Sequence, residues 1–148
     1  MEMHNKSNIE TVLAFDFGLK QIGIAFGQTI TKQSTGIKII KAKNGIPNWD
    51  EIKTIVEEWN PNTLIVGLPV NMDDSESEMS CLARAFAKGL KNRIHKSVKL
   101  MDERLSSREA KNKVKEVFKN FDATKADHIA AAFILQSYLN DPKLAENF

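Results

Sequence analysis

Short apolar runs alternate with amphipathic stretches along this chain. Val12 to Phe15 is an unbroken apolar run that ends on Asp16. It is too short for an ordinary helix and apolar on both sides, so it predicts a buried strand over 12–16. Gly18 permits a tight turn, and Ile22-Gly23-Ile24-Ala25-Phe26 predicts a returning strand over 22–27. β-Branched residues at 35–41 predict a third strand. Short connections make these three an antiparallel meander, which Gly45, Pro47 and Asn48 interrupt.

The period then changes. Asn48 stands three before Glu51, a helix-start signal, and Ile52, Ile55, Val56 and Trp59 share one helical face. Pro61 disfavours helix at Asn60. Thr63 to Val66 predicts a fourth, buried strand closed by Gly67 and Pro69. After an acidic loop over 70–78, Ser75 and Glu78 form a capping box for a helix with Met79, Leu82, Phe86, Leu90 and Ile94 inward, ending near His95. Val98 to Met101 predicts a fifth strand, which runs into Asp102-Glu103-Arg104. Ser106 and Glu109 form another capping box, for a helix with Ala110, Val114 and Val117 inward. Thr124 caps a last helix over 125–140 that is apolar nearly all round, hence deeply packed. Residues 1–9 and 141–148 read as polar tails around a single domain over 10–140.

The order βββαβαβαα excludes all-α and all-β classes. Strand–helix–strand connections imply right-handed crossovers and parallel pairing of strands one, four and five. Their carboxyl ends then share one edge, where α/β proteins bind ligands. Asp16, the Gly67–Asn71 loop and Glu103 fall on that edge, and Asp127 opens the most apolar helix. Three carboxylates make a hard oxygen site, suited to Mg²⁺ or Mn²⁺ rather than zinc. Two such ions about 3.5–4 Å apart support phosphodiester hydrolysis. Each acid also has a plain structural reading: Asp16 as a turn residue, Glu103 paired with Arg104 or Arg108, Asp127 as capping partner of Thr124. Their joint placement carries the inference.

At 42% hydrophobic and 27% charged residues, with net charge +2, the chain has ordinary globular composition that neither demands nor excludes nucleic acid. Locally, residues 80–101 hold six Lys/Arg and no acid, and Arg84, Lys88, Lys91 and His95 share a helical face that either tracks phosphates or is merely solvated. Lys20, in the first turn, is nearer the acidic edge. Cys81 excludes an intrachain disulfide, fits a reducing compartment, and reads as core or neutral. No apolar run reaches the roughly 20 residues of a membrane span, and the polar N-terminus is no secretory signal, so a cytoplasmic location is expected.

Four motifs in order resemble the YqgF/RuvX family of pre-16S ribosomal RNA nucleases, also described as Holliday-junction-resolvase-like. They are Ala14-Phe15-Asp16-Phe17-Gly18 with Ile22-Gly23; Val66-Gly67-Leu68-Pro69-Val70-Asn71-Met72-Asp73; Asp102-Glu103-Arg104-Leu105-Ser106-Ser107; and Asp127 with Ala130-Ala131 and Ile134-Leu135-Gln136-Ser137-Tyr138-Leu139. The resemblance implies an α/β, ribonuclease H-like mixed five-stranded sheet flanked by helices. It implies metal-dependent processing of the 5′ end of pre-16S ribosomal RNA, with Asp16, Glu103 and Asp127 as catalytic residues and ligands of Mg²⁺ or Mn²⁺. Lys20, Asn71 and Arg104 are the candidates for phosphate contacts. Gln21 stands where the family usually has Arg, and Asp73 to Ser77 departs from the usual Gly and Thr. Two further readings stay open: a Holliday junction DNA resolvase, and a non-catalytic RNA-binding ribosome-assembly factor. The first needs a dimer, and the sequence shows no obvious seam, so a monomer or weak dimer is expected.

Overall fold

The computed structural model describes residues 9–69, 73, 77–103 and 127–148. The meander is present: β1 (Thr11–Asp16), β2 (Gln21–Gln28) and β3 (Gln33–Lys43) pair antiparallel in succession. A two-residue strand β4 (Ile46–Pro47) folds back on β3. The turn between them is Asn44-Gly45, with φ of 53° and 82°. Positive φ at both central residues is what a two-residue hairpin with right-handed strand twist requires. The chain therefore adds a fourth antiparallel strand where Gly45 and Pro47 suggested only a break.

Helix α1 (Trp49–Trp59) follows. The Asn48 side chain accepts from the backbone N–H of Asp50 and Glu51, and Asn60 closes the helix in the left-handed conformation ahead of Pro61. β5 (Thr63–Leu68) is buried along its whole length. α2 (Glu78–Arg93) starts on Ser77 instead of Ser75. The Ser77 hydroxyl accepts from the Ser80 N–H and donates to the Pro69 carbonyl, 3.0 Å each. One side chain thus caps α2 and ties it to the residue just after β5. β6 (Ser97–Asp102) and α3 (Asp127–Asn140) complete the main elements. The expected Ser106–Glu109 helix and the Thr124 cap lie outside the described residues.

The sheet order is β4-β3-β2-β1-β5-β6-β7, with β1, β5 and β6 parallel. Its five long strands are the five the sequence predicts. The two additions are two-residue edge strands. β7 (Glu146–Asn147) pairs antiparallel with β6, and a 3₁₀ turn over Pro142–Leu144 leads into it. Residues 141–148, which read as a polar tail, thus cover a sheet edge, and Phe148 packs against the core. Capping an otherwise open edge satisfies main-chain groups that polarity alone does not report.

Side chains alternate between two cores. Leu13 and Phe15 of β1, Leu64, Val66 and Leu68 of β5, and Val98 and Leu100 of β6 face α1 and α2. Val12, Ala14, Ile65 and Met101 face α3, against Ala131, Ile134, Leu135, Tyr138 and Leu139. Within α2 the buried face centres on Ala83, Phe86, Ala87 and Leu90; Met79 and Leu82 flank it, partly buried. No helix among the described residues is long and apolar enough to cross a membrane.

A polar clasp fixes the far end of α3. The buried Tyr138 hydroxyl donates to Glu10 at 3.1 Å, Lys99 donates to that hydroxyl at 3.4 Å, and Thr63 also donates to Glu10. Burial and the Glu10 carboxylate push the Tyr138 pKa up, so it stays a neutral donor. Tyr138→Phe should lower unfolding stability by about 1–2 kcal/mol, because it leaves the carboxylate and ammonium without their shared partner. Urea denaturation at neutral pH measures this.

Candidate active site

Asp16 is the last residue of β1 and Glu103 directly follows the last residue of β6, so both stand at the carboxyl ends of parallel strands. Strand alternation decides which way they face. Asp16 shares the side of Val12 and Ala14, and Glu103 continues the side of Met101, the face covered by α3. Gly67 lies on the same side as Ile65. A Cβ built on Gly67 would meet Glu103 Oε1 at 2.8 Å and Ile134 Cδ1 at 2.5 Å. The missing side chain is thus the space that lets the Glu103 carboxylate sit over β5, between the strand and α3.

This carboxylate is electrostatically stressed. Its pKa is raised from 4.5 to about 7, first by burial, then by the neighbouring charges of Asp16 and Asp102. Burial penalises the ionised form, and like charges add to the penalty. Among the described residues its surroundings are acidic; Arg104 and Arg108, the partners of the plain ion-pair reading, lie outside them. Asp102, flagged in the sequence only as part of a motif, is one of these charges. Its position at a strand end beside Glu103 was the available signal.

α3 runs with Tyr138 at the Glu10 end of the sheet and Ile134 over Gly67. Its first residue, Asp127, therefore begins the helix on the acidic side; the Asp127 side chain is outside the described residues, as are Asn71 and Arg104. Lys20 is exposed in the turn after Asp16, and its carbonyl accepts from Ala42 N–H, binding that turn to β3. Gln21 opens β2 opposite Lys41. Cys81 is exposed on α2, not core.

Among the described residues, no group of three His, Cys, Asp or Glu side chains is spaced to hold a metal ion. The donors that are present fit a hard cation nonetheless. Mg²⁺ is commonly held by one or two carboxylates with the rest of its shell from water and phosphate. Asp16 and Glu103 are such a pair, and the raised Glu103 pKa marks a place where positive charge would be welcome.

Residues 10–141 match the RuvX family model, described as Holliday junction resolvase. A protein of Acinetobacter baylyi named "Putative pre-16S rRNA nuclease" is 41% identical over 143 residues, covering 95% of this chain and 97% of that protein. One of the same name from Hahella chejuensis is 47% identical over 131 residues, covering 87% and 83%. Among solved structures, RuvC of T. thermophilus in complex with a Holliday junction substrate superposes with a TM-score of 0.63 at 12% identity, covering 94% of this chain and 99% of that one. The fowlpox virus resolvase with its junction DNA gives 0.54 at 18%, covering 89% and 98%. These likenesses show the ribonuclease H-like fold. Matched along nearly its whole described length, the chain belongs to the RuvX family.

Proposed function

We propose that this protein is a metal-dependent endonuclease of structured nucleic acid, acting in the cytoplasm on the 5′ end of pre-16S ribosomal RNA. The observation that carries the reading is the crowding of Glu103 by Asp16 and Asp102 over Gly67, at the carboxyl edge of the parallel strands. The relatives named as pre-16S rRNA nucleases support the substrate. Asp16, Glu103 and Asp127 would hold Mg²⁺ or Mn²⁺, two ions in the full site. The chemistry the metal supplies when bound is Lewis-acid activation of water and stabilisation of the leaving oxygen. The chain's own residues position: α3 shields one side of Glu103, and Lys20, Asn71 and Arg104 are the candidates to neutralise phosphates.

A second reading is cleavage of four-way DNA junctions. The family description and the likeness to junction-resolving folds favour it. The two readings part on substrate and assembly. Precursor 16S leader RNA and a synthetic four-way junction, each with Mg²⁺ or Mn²⁺, form the test. Cutting of the RNA alone is expected. Cutting of the junction alone, by a stable dimer in sedimentation, would overturn the first reading.

Asp16→Asn should reduce metal-dependent cleavage by at least about 10³-fold with the fold retained, since it removes a charge and leaves the shape; retained cleavage would sink the assignment. Gly67→Ala should lower activity more than stability. The added methyl meets the flexible tips of Ile134 and Glu103, which shift at small cost, but the carboxylate is displaced. An activity loss of about tenfold or more with a melting point within a few degrees is the expected pattern.

Glu103 also gives a stability prediction in the absence of divalent metal. Its folded pKa, about 7, lies above the ordinary 4.5. Between these values the folded state binds more protons, so stability falls as pH rises through that window and stays low above it. Glu103→Gln removes the charge. It should stabilise the metal-free protein by about 1–2 kcal/mol at pH 8, discounted for partial solvent exposure, with the gain vanishing near pH 4. Urea titrations at both pH values check this.

A further inference from the structure

The opposite pole of the sheet carries a basic cleft. The body of α1 and the segment joining α2 to β6 bound a cavity of about 300 Å³ lined by Lys53, Val56, Glu57, Arg93, Ile94, His95 and Lys96. Three permanent cations thus face one carboxylate, with an imidazole among them. The basic face of α2, read as either a phosphate track or merely solvated, is partly taken up by other contacts. Lys91 donates to the Phe148 main-chain oxygen and Arg84 is half-buried and engaged. The cationic groups gather at this end of the helix instead.

Part of this charge has a local purpose. Cations are favoured at helix C-termini. Arg93 donates to the Gly89 carbonyl at 3.5 Å and lies over the Trp49 ring, 4.3 Å from its centre. Lys96 donates to Asn60 Oδ1 at 3.0 Å, bridging the two helix ends. Lys53 and His95 are different. Both are exposed, and among the described residues neither side chain has a hydrogen bond or ion pair. Lys53 also sits well before the end of α1, so the helix terminus does not call for it. Nor does it pair with Glu57, four residues on along the same helix.

We propose that this cleft, bounded by Lys53, Arg93, His95 and Lys96, binds a backbone phosphate of the polynucleotide substrate, as a second anchor remote from the acidic edge. The inference rests on the polynucleotide substrate proposed above. The six residues of β5 and of β6 separate the two places by about 20 Å. An RNA long enough to reach from one pole to the other engages both; a short oligonucleotide at the acidic edge does not. Positive charge complements phosphate here, whereas the acidic edge repels it unless a cation is bound.

The test is the salt dependence of binding by fluorescence anisotropy, with a long structured leader RNA and no divalent metal. Lys53→Gln should lower the slope of log affinity against log salt by about 1, the loss of one phosphate contact. The double variant Lys53→Glu, His95→Glu should weaken binding about 10-fold or more near 0.1 M salt. Melting points should match wild type, since both side chains are exposed. An unchanged slope and affinity for the long RNA would overturn the anchor, whatever the cleavage assay shows. A reduced slope with no metal-dependent cleavage by the wild type would keep the anchor and overturn the nuclease. Thermal stabilisation by inorganic phosphate that the variants lose, with RNA binding untouched, would overturn a polynucleotide as occupant.

Discussion

Burial of β1 on both faces is the constraint on which the rest depends. With Leu13 and Phe15 packed under α1 and α2, and Val12 and Ala14 under α3, no charged side chain is tolerated along the strand. Polar chemistry is pushed to its end, where Asp16 stands. Parallel pairing of β5 and β6 with the same orientation carries Gly67 and Glu103 to that edge. Alternation then puts all three on the α3 side. The site is a consequence of where the sheet can accept charge, and the two helical layers decide which face it opens on.

The same packing sets the electrostatics. Glu103 is partly buried beside two other carboxylates, an arrangement that costs stability in the absence of a counter-charge. Folded proteins keep such conflicts where function needs them. Gly67 makes the conflict sharper, because any side chain there would drive the carboxylate off β5. Room for Glu103 and discomfort of Glu103 therefore share one origin: the close approach of β5, the end of β6 and α3.

Much of this was legible in the chain. The five long strands, their sense, and the heading of Asp16 and Glu103 to one edge follow from apolar runs ending on carboxylates and from crossover handedness. Less local features were not. Asn44-Gly45 carries a hairpin signal, yet the strand it creates is two residues long and takes its meaning from β3. Ser77 rather than Ser75 caps α2, and Pro69, eight residues back, accepts from its hydroxyl. Residues 141–148 are polar in composition, but their main chain completes the edge of β6. The role of Gly67 depends on a contact with Glu103 and Ile134 that spacing cannot show. For Gly67 and for residues 141–148 the deciding partner is far away in sequence.

A net charge of +2 conceals a local separation of charge among the described residues. Among the described residues, Asp16, Asp102 and Glu103 stand at one end of the parallel strands and the cleft of Lys53, Arg93, His95 and Lys96 near the other, about 20 Å apart. Screening at about 0.1 M salt has a length of about 10 Å, so the exposed cations at one end do little to relieve repulsion among the acids at the other. The counter-charge for Glu103 has to be supplied locally, by a bound cation or by neighbouring basic groups. The separation works in the other direction as well. A phosphate held at the basic pole leaves the charge state of Glu103 unaltered, so anchoring of a long substrate and the chemistry at the edge can be tuned independently by changes at different ends of the same sheet.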